Sequence, residues 1–127
     1  MLHNLLSRYL DKIEAEIRKL EDVYVERYEE EILASDRINL RIRVRFKAGN
    51  LFELNEAVII EGDKLERLNY RYHFQDRQNN LIFRYDNTPH FPDLENFPHH
   101  KHLRDGIMSS EEPKVVRVIE EAVKLSN

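Results

Sequence analysis

Apolar residues at Leu2, Leu5, Leu6, Tyr9, Leu10, Ile13, Ile17 and Leu20 recur three or four apart. This spacing predicts one amphipathic helix over residues 2–21. The period then shortens. Val23–Leu33 mixes the strand-forming run VYVERY with glutamates, and a first strand is expected to begin near Val23. Ile38, Leu40, Ile42, Val44 and Phe46 alternate with Asn39, Arg41, Arg43 and Arg45, the period of a half-buried strand. Ala48-Gly49-Asn50 supplies a turn, Leu51–Ile60 a further strand, and Glu61-Gly62-Asp63 closes it. Leu68, Tyr70, Tyr72 and Phe74 alternate with Asn69, Arg71, His73 and Gln75, and after a polar turn Leu81–Asp86 forms another strand. Strands joined this closely predict an antiparallel meander.

Asn87–Ser110 shows neither period and holds three of the four prolines and four of the six histidines. It is expected as an ordered loop lying on the protein, anchored by Phe91 and Phe97. Ser110, followed by Glu111 and Glu112, reads as the N-cap of a closing helix. Val115, Val116, Val118, Ile119, Ala122, Val123 and Leu125 give that helix its apolar face. The fold class is therefore α+β, an antiparallel meander sheet of four to five strands. The N-terminal and C-terminal helices are expected to pack on one face, in a single domain over residues 1–127.

The length suits one domain with a core of its own. The chain has no cysteine, which excludes disulfides and thiolate metal sites. No apolar run approaches the roughly 20 residues of a membrane span, and the N-terminus is too regularly charged for a signal peptide. A cytoplasmic protein with no membrane contact is expected. The net charge of −4 argues against general coating of nucleic acid. Yet residues 10–36 carry ten acids, whereas residues 37–47 carry five bases and no acid. A phosphate backbone would feel that local basic surface.

Three constellations carry candidate chemistry. Arg41, Arg43 and Arg45 point together, away from the apolar face of their strand, and Arg71 and His73 oppose Tyr70 and Tyr72 in the same way. Such a face can position phosphates, or it is a solvated surface whose arginines pair with Glu53 and Glu56. Arg84 and Asp86 share one face of their strand, where an arginine keeps a carboxylate ionised. The third constellation is His90 together with His99, His100, Lys101 and His102. Histidine carries protons near neutral pH and binds metals, or here it anchors the loop. A metal at this cluster is not excluded, although H-H-x-H alone is not a zinc spacing.

The segments YRYHFQD (Tyr70–Asp76), LIFRYDNTPH (Leu81–His90) and FPHHKHL (Phe97–Leu103) resemble the TumE-like toxins of toxin–antitoxin systems. In that family a sheet leads to an R-Y/W-D-N-x-P-H-H segment and then F-P-H-H-K-H. This sequence departs from the pattern at Phe91, where the family typically has a second histidine. The resemblance implies a small bacterial or archaeal toxin paired with a helix-turn-helix antitoxin.

The residues themselves suggest the reaction: metal-independent ribonuclease chemistry with no cofactor. It needs a base, an acid and a cation for the phosphate. His73, His90, His99, His100 and His102 are candidates for proton transfer, Arg71 and Arg84 for the phosphate and Asp86 for orienting a histidine. Arg41, Arg43, Arg45, Arg71 and Lys101 are candidates for RNA binding. A non-catalytic module for RNA or protein and a histidine metal site are the alternatives, and an oligomer is compatible with any of them.

Overall fold

The computed structural model describes residues 1–126. Helix α1 spans Asn4–Arg18 and buries Leu6, Leu10, Ile13 and Ile17. His3 begins it, its Nδ1 accepting the Leu5 N–H at 3.0 Å. The helix stops three residues before the expected end. There the Leu20 N–H bonds to the Ile17 carbonyl, and Asp22 takes a left-handed φ of 55° that turns the chain.

Seven strands follow, each antiparallel to the next in chain order. They are β1 (Val23–Ala34), β2 (Arg37–Phe46), β3 (Leu51–Glu61), β4 (Lys64–Gln75), β5 (Leu81–Asp86), β6 (His100–Leu103) and β7 (Gly106–Ser109). Helix α2 (Val115–Leu125) closes the chain. The sheet thus exceeds the four to five strands expected, because the histidine-rich segment does not stay a loop. It folds back as the β6–β7 hairpin and extends the meander. Ser110 does not cap α2. Lys114 occupies that position, with no side-chain capping bond.

Both helices lie on one face. Leu6, Leu10 and Ile13 of α1 and Val118, Ile119 and Ala122 of α2 form one core with alternate residues of β2 to β5. Two features break the expected alternation. In β4 the register slips, so that Asn69 pairs with Ala57 and Arg67 with Val58. Leu68 is the extra residue of this bulge. Instead of joining Tyr70 in the core, it is 45% exposed. Arg67 consequently turns towards the helices.

The second feature is Glu56, which does not pair with the β2 arginines. It shares the parity of Phe52, Leu54 and Val58 and is buried among them. Its carboxylate accepts hydrogen bonds from the hydroxyls of Tyr9, at 2.6 and 2.8 Å, and Tyr72. Arg67 stands 3.9 Å away and also pairs with Glu112 at 2.9 Å.

Phe97 is not the expected anchor, being 44% exposed. Phe97→Ala is accordingly expected to cost less than about 1 kcal/mol, against the 3–5 of a buried phenylalanine. Chemical denaturation checks it, and a loss above about 2 kcal/mol would contradict this reading.

Candidate active site

No helix among the described residues covers the other face of the sheet, and its side chains form two polar rows that run across the strands. One passes through Arg41, Asn55, Arg71, Asp86 and His100, the other through Arg43, Glu53, His73, Arg84 and His102. The rows arise because each turn keeps the odd-numbered residues of β2, β3 and β4 on this side. The even-numbered residues of β5 and β6 join them.

At the β4–β6 end the rows meet a hollow of about 320 Å³ lined by Arg71, Arg84, Asp86, Thr88, His90, His100 and His102. His100 is 2% exposed and Asp86 6%. The Asp86 carboxylate accepts the Thr88 N–H at 3.0 Å, which fixes it at the mouth of the loop. The His100 Nδ1 faces the Pro98 carbonyl at 2.9 Å. A carbonyl only accepts, so that nitrogen carries the hydrogen. The His100 Nε2 then lies 2.8 Å from Asp86 Oδ1 and 3.1 Å from the His102 Nε2. The His102 Nε2 is itself 3.4 Å from Asp86 Oδ2. Burial first, then the neighbouring Arg84 guanidinium, pull the His102 imidazole below its ordinary pKa.

Cationic groups frame this centre. Arg84 Nε lies 3.4 Å from Asp86 Oδ2 without hydrogen-bond geometry. The buried N–H has no other partner among the described residues. Arg71 is exposed and enters no ion pair among the described residues. The β2 arginines differ. Arg43 and Arg45 meet Glu26 at 2.9 and 3.0 Å, and Arg41 stands 3.9 Å from Glu29. Their charge is largely matched in place, and such exposed pairs contribute little to stability.

The structure therefore brings together Arg71, Arg84, Asp86, His90, His100 and His102, and leaves the three β2 arginines, His73, His99 and Lys101 outside the hollow. His73 sits one strand over, its Nε2 on Gln75 at 2.8 Å, with burial holding its pKa low. His99 lies on the helix side, where its Nδ1 meets the Tyr70 hydroxyl at 2.8 Å. Lys101 also points to the helices, pairing with Glu121 at 2.8 Å over the Tyr85 ring. Alternation along β6 separates Lys101 from its neighbours His100 and His102.

A family model described as Toxin TumE matches residues 13–125. The chain belongs to the TumE toxin family. No curated protein and no solved structure gives a significant match. Membership of this toxin family implies an antitoxin as partner, and no helix among the described residues is long and apolar enough to cross a membrane.

The TumE match spans both histidine segments and the strands that carry them, so the hollow lies wholly inside it. Thr88 is not among the residues that the sequence singles out, whereas Phe91 is, as a loop anchor. Thr88 had a signal, since a small polar residue two after an aspartate closes a side-chain turn. Phe91 stands edge-on to both imidazoles, its ring centre 5.0 Å from that of His100 and 6.0 Å from that of His102. The position at which this sequence departs from the TumE-like pattern is thus a wall of the centre itself.

Proposed function

We propose that this toxin acts on RNA, holding a backbone phosphate in the hollow and cleaving the chain there. What supports the reading most is the convergence, on the uncovered sheet face, of Asp86, His100 and His102 with two guanidinium groups that have donors to spare. Arginine suits this task because its fork meets two phosphate oxygens. Arg71 and Arg84 hold the phosphate. The 2′-hydroxyl oxygen then attacks phosphorus and the bond to the 5′-oxygen breaks. The Asp86–His100–His102 centre activates the attacking hydroxyl and removes its proton. His90, exposed on the rim, delivers a proton to the leaving oxygen.

The partner proposed is a helix-turn-helix antitoxin, as the family resemblance implies. Expression of the chain alone is expected to arrest growth, and co-expression of the antitoxin encoded beside it to restore growth. Arrest that no neighbouring gene relieves would count against that pairing.

Salt dependence locates the RNA-binding face. The affinity for single-stranded RNA should fall with salt, and each phosphate contact adds about 0.7 to the logarithmic slope. Arg71→Glu is expected to remove roughly one such contact. Arg43→Glu should change the slope less, because Arg43 is already matched by Glu26 and Glu53. Equal slopes in all three proteins would overturn the assignment of this face to RNA.

A further inference from the structure

We propose that Asp86, His100 and His102 form a binding site for one divalent transition-metal ion, which deepens the reading of the hollow as the reactive centre and rests on it. The sequence reading expected cleavage without metal. The geometry points elsewhere. One ligand atom from each of the three residues lies within 4.8 Å of the others. The separations are 2.8 Å from His100 Nε2 to Asp86 Oδ1, 3.1 Å between the two Nε2 atoms and 3.4 Å from His102 Nε2 to Asp86 Oδ2. Metal–ligand bonds of about 2.0–2.2 Å place neighbouring ligands roughly 2.8–3.6 Å apart in octahedral or tetrahedral geometry. The separations from His100 Nε2 to Asp86 Oδ1 and to His102 Nε2 fall in that range, and His102 Nε2 meets the other carboxylate oxygen at 3.4 Å, so that the two imidazoles face the carboxylate through different oxygens.

The surroundings agree with this assignment. The His100 Nδ1 hydrogen is committed to the Pro98 carbonyl, which leaves Nε2 facing a carboxylate and a second imidazole. A cation placed there would draw on donors from all three residues. Such a backbone bond to the far nitrogen is also the usual support for a metal-bound histidine. The Thr88 N–H steadies the carboxylate, and Phe91 gives the site one apolar wall. Two imidazoles and one carboxylate, with no thiolate in the chain, suit zinc, manganese, iron(II), cobalt or nickel rather than a soft ion. Three protein ligands leave positions open for a substrate oxygen beside Arg84. A metal there would take over the activation by lowering the pKa of a bound hydroxyl, whose proton would then leave to solvent water and not to the three ligands.

The test uses the full chain without a histidine tag, stripped with a chelator and titrated with Zn²⁺ and Co²⁺ by calorimetry and visible absorption. One ion per chain is expected, together with cobalt ligand-field bands and a raised melting temperature. His102→Ala and Asp86→Asn should weaken binding at least about 100-fold, whereas His99→Ala should leave it unchanged. Circular dichroism identifies any variant that fails to fold, and His102, on the partly exposed strand β6, provides a milder truncation than buried His100. Absence of stoichiometric binding, or binding that survives both variants, overturns the site. A parallel RNA-cleavage assay with and without chelator separates the two proposals. Metal bound without cleavage leaves the site and removes the ribonuclease reading. Cleavage undiminished by chelator, with no metal bound, does the reverse, and the close contacts are then hydrogen bonds within the Asp86–His100–His102 centre.

Discussion

His102→Ala and Asp86→Asn are each expected to lower RNA cleavage by about two to four orders of magnitude, the usual contribution of a group that moves a proton or activates a nucleophile. Growth arrest should be lost with it. Both residues contribute to the same centre, in which His102 Nε2 lies 3.1 Å from His100 Nε2 and Asp86 binds the first turn of the loop. Asparagine keeps the size of Asp86 and can still accept the Thr88 N–H, so the loop should hold while the charge is lost. The double variant should be little worse than either single one, because residues that act as a unit do not add. The measurement is single-turnover cleavage of a defined RNA by each folded variant. Losses below tenfold in both would show that the histidine cluster is structural and that the chemistry lies elsewhere.

Most of the frame could be read from the chain, for a physical reason. Strand β2 and helix α1 bury one face and leave the other wet, so burial writes itself as period two or 3.6. The β6–β7 hairpin could not be read this way. Its inward face is Lys101 and Leu103, its outward face His100 and His102, and four residues carry too little contrast. The histidine spacing held the clue, since positions 100 and 102 share a face only in an extended strand. Proximity in sequence groups His99 and Lys101 with these histidines, but alternation turns both to the helix side. The Arg84–Asp86 pair, by contrast, was legible as one face and sits beside the histidines as alternation requires. Glu56 was misplaced for the same reason as Lys101. Residues three apart on a strand cannot share a face, so Glu53 and Glu56 could never both pair with the arginines. The Leu68 bulge had no sequence signal that period alone could show, and it alone explains why Arg67 reaches Glu56.

Glu56→Ala is expected to destabilise the fold by about 3–5 kcal/mol, the range found when one partner of a buried ion pair is removed. Truncation strands the Arg67 charge and the hydroxyls of Tyr9 and Tyr72, whose hydrogen bonds end on this carboxylate. Glu112, half-exposed, still reaches Arg67 and keeps the loss from being larger. Even so, the cost is a large share of the roughly 5–15 kcal/mol that holds a domain together. Glu56→Gln should cost much less, and its dependence on pH separates charge from packing. Burial raises the pKa of Glu56, while Tyr72, Tyr9 and Arg67 pull it only part of the way back. The folded chain therefore holds this proton more tightly than the unfolded one. The resulting stability is complete below the ordinary value of 4.5 and is lost as pH rises through the higher folded value. Glutamine does not titrate, so the variant should gain on the parent as pH rises above the ordinary value of 4.5 in urea denaturation. A difference that stays flat, or moves the other way, would mean that Arg67 and the two tyrosines already hold Glu56 ionised at no cost. RNA cleavage per folded molecule should be unaltered throughout, because the network lies under the helices and the hollow on the opposite face of the sheet.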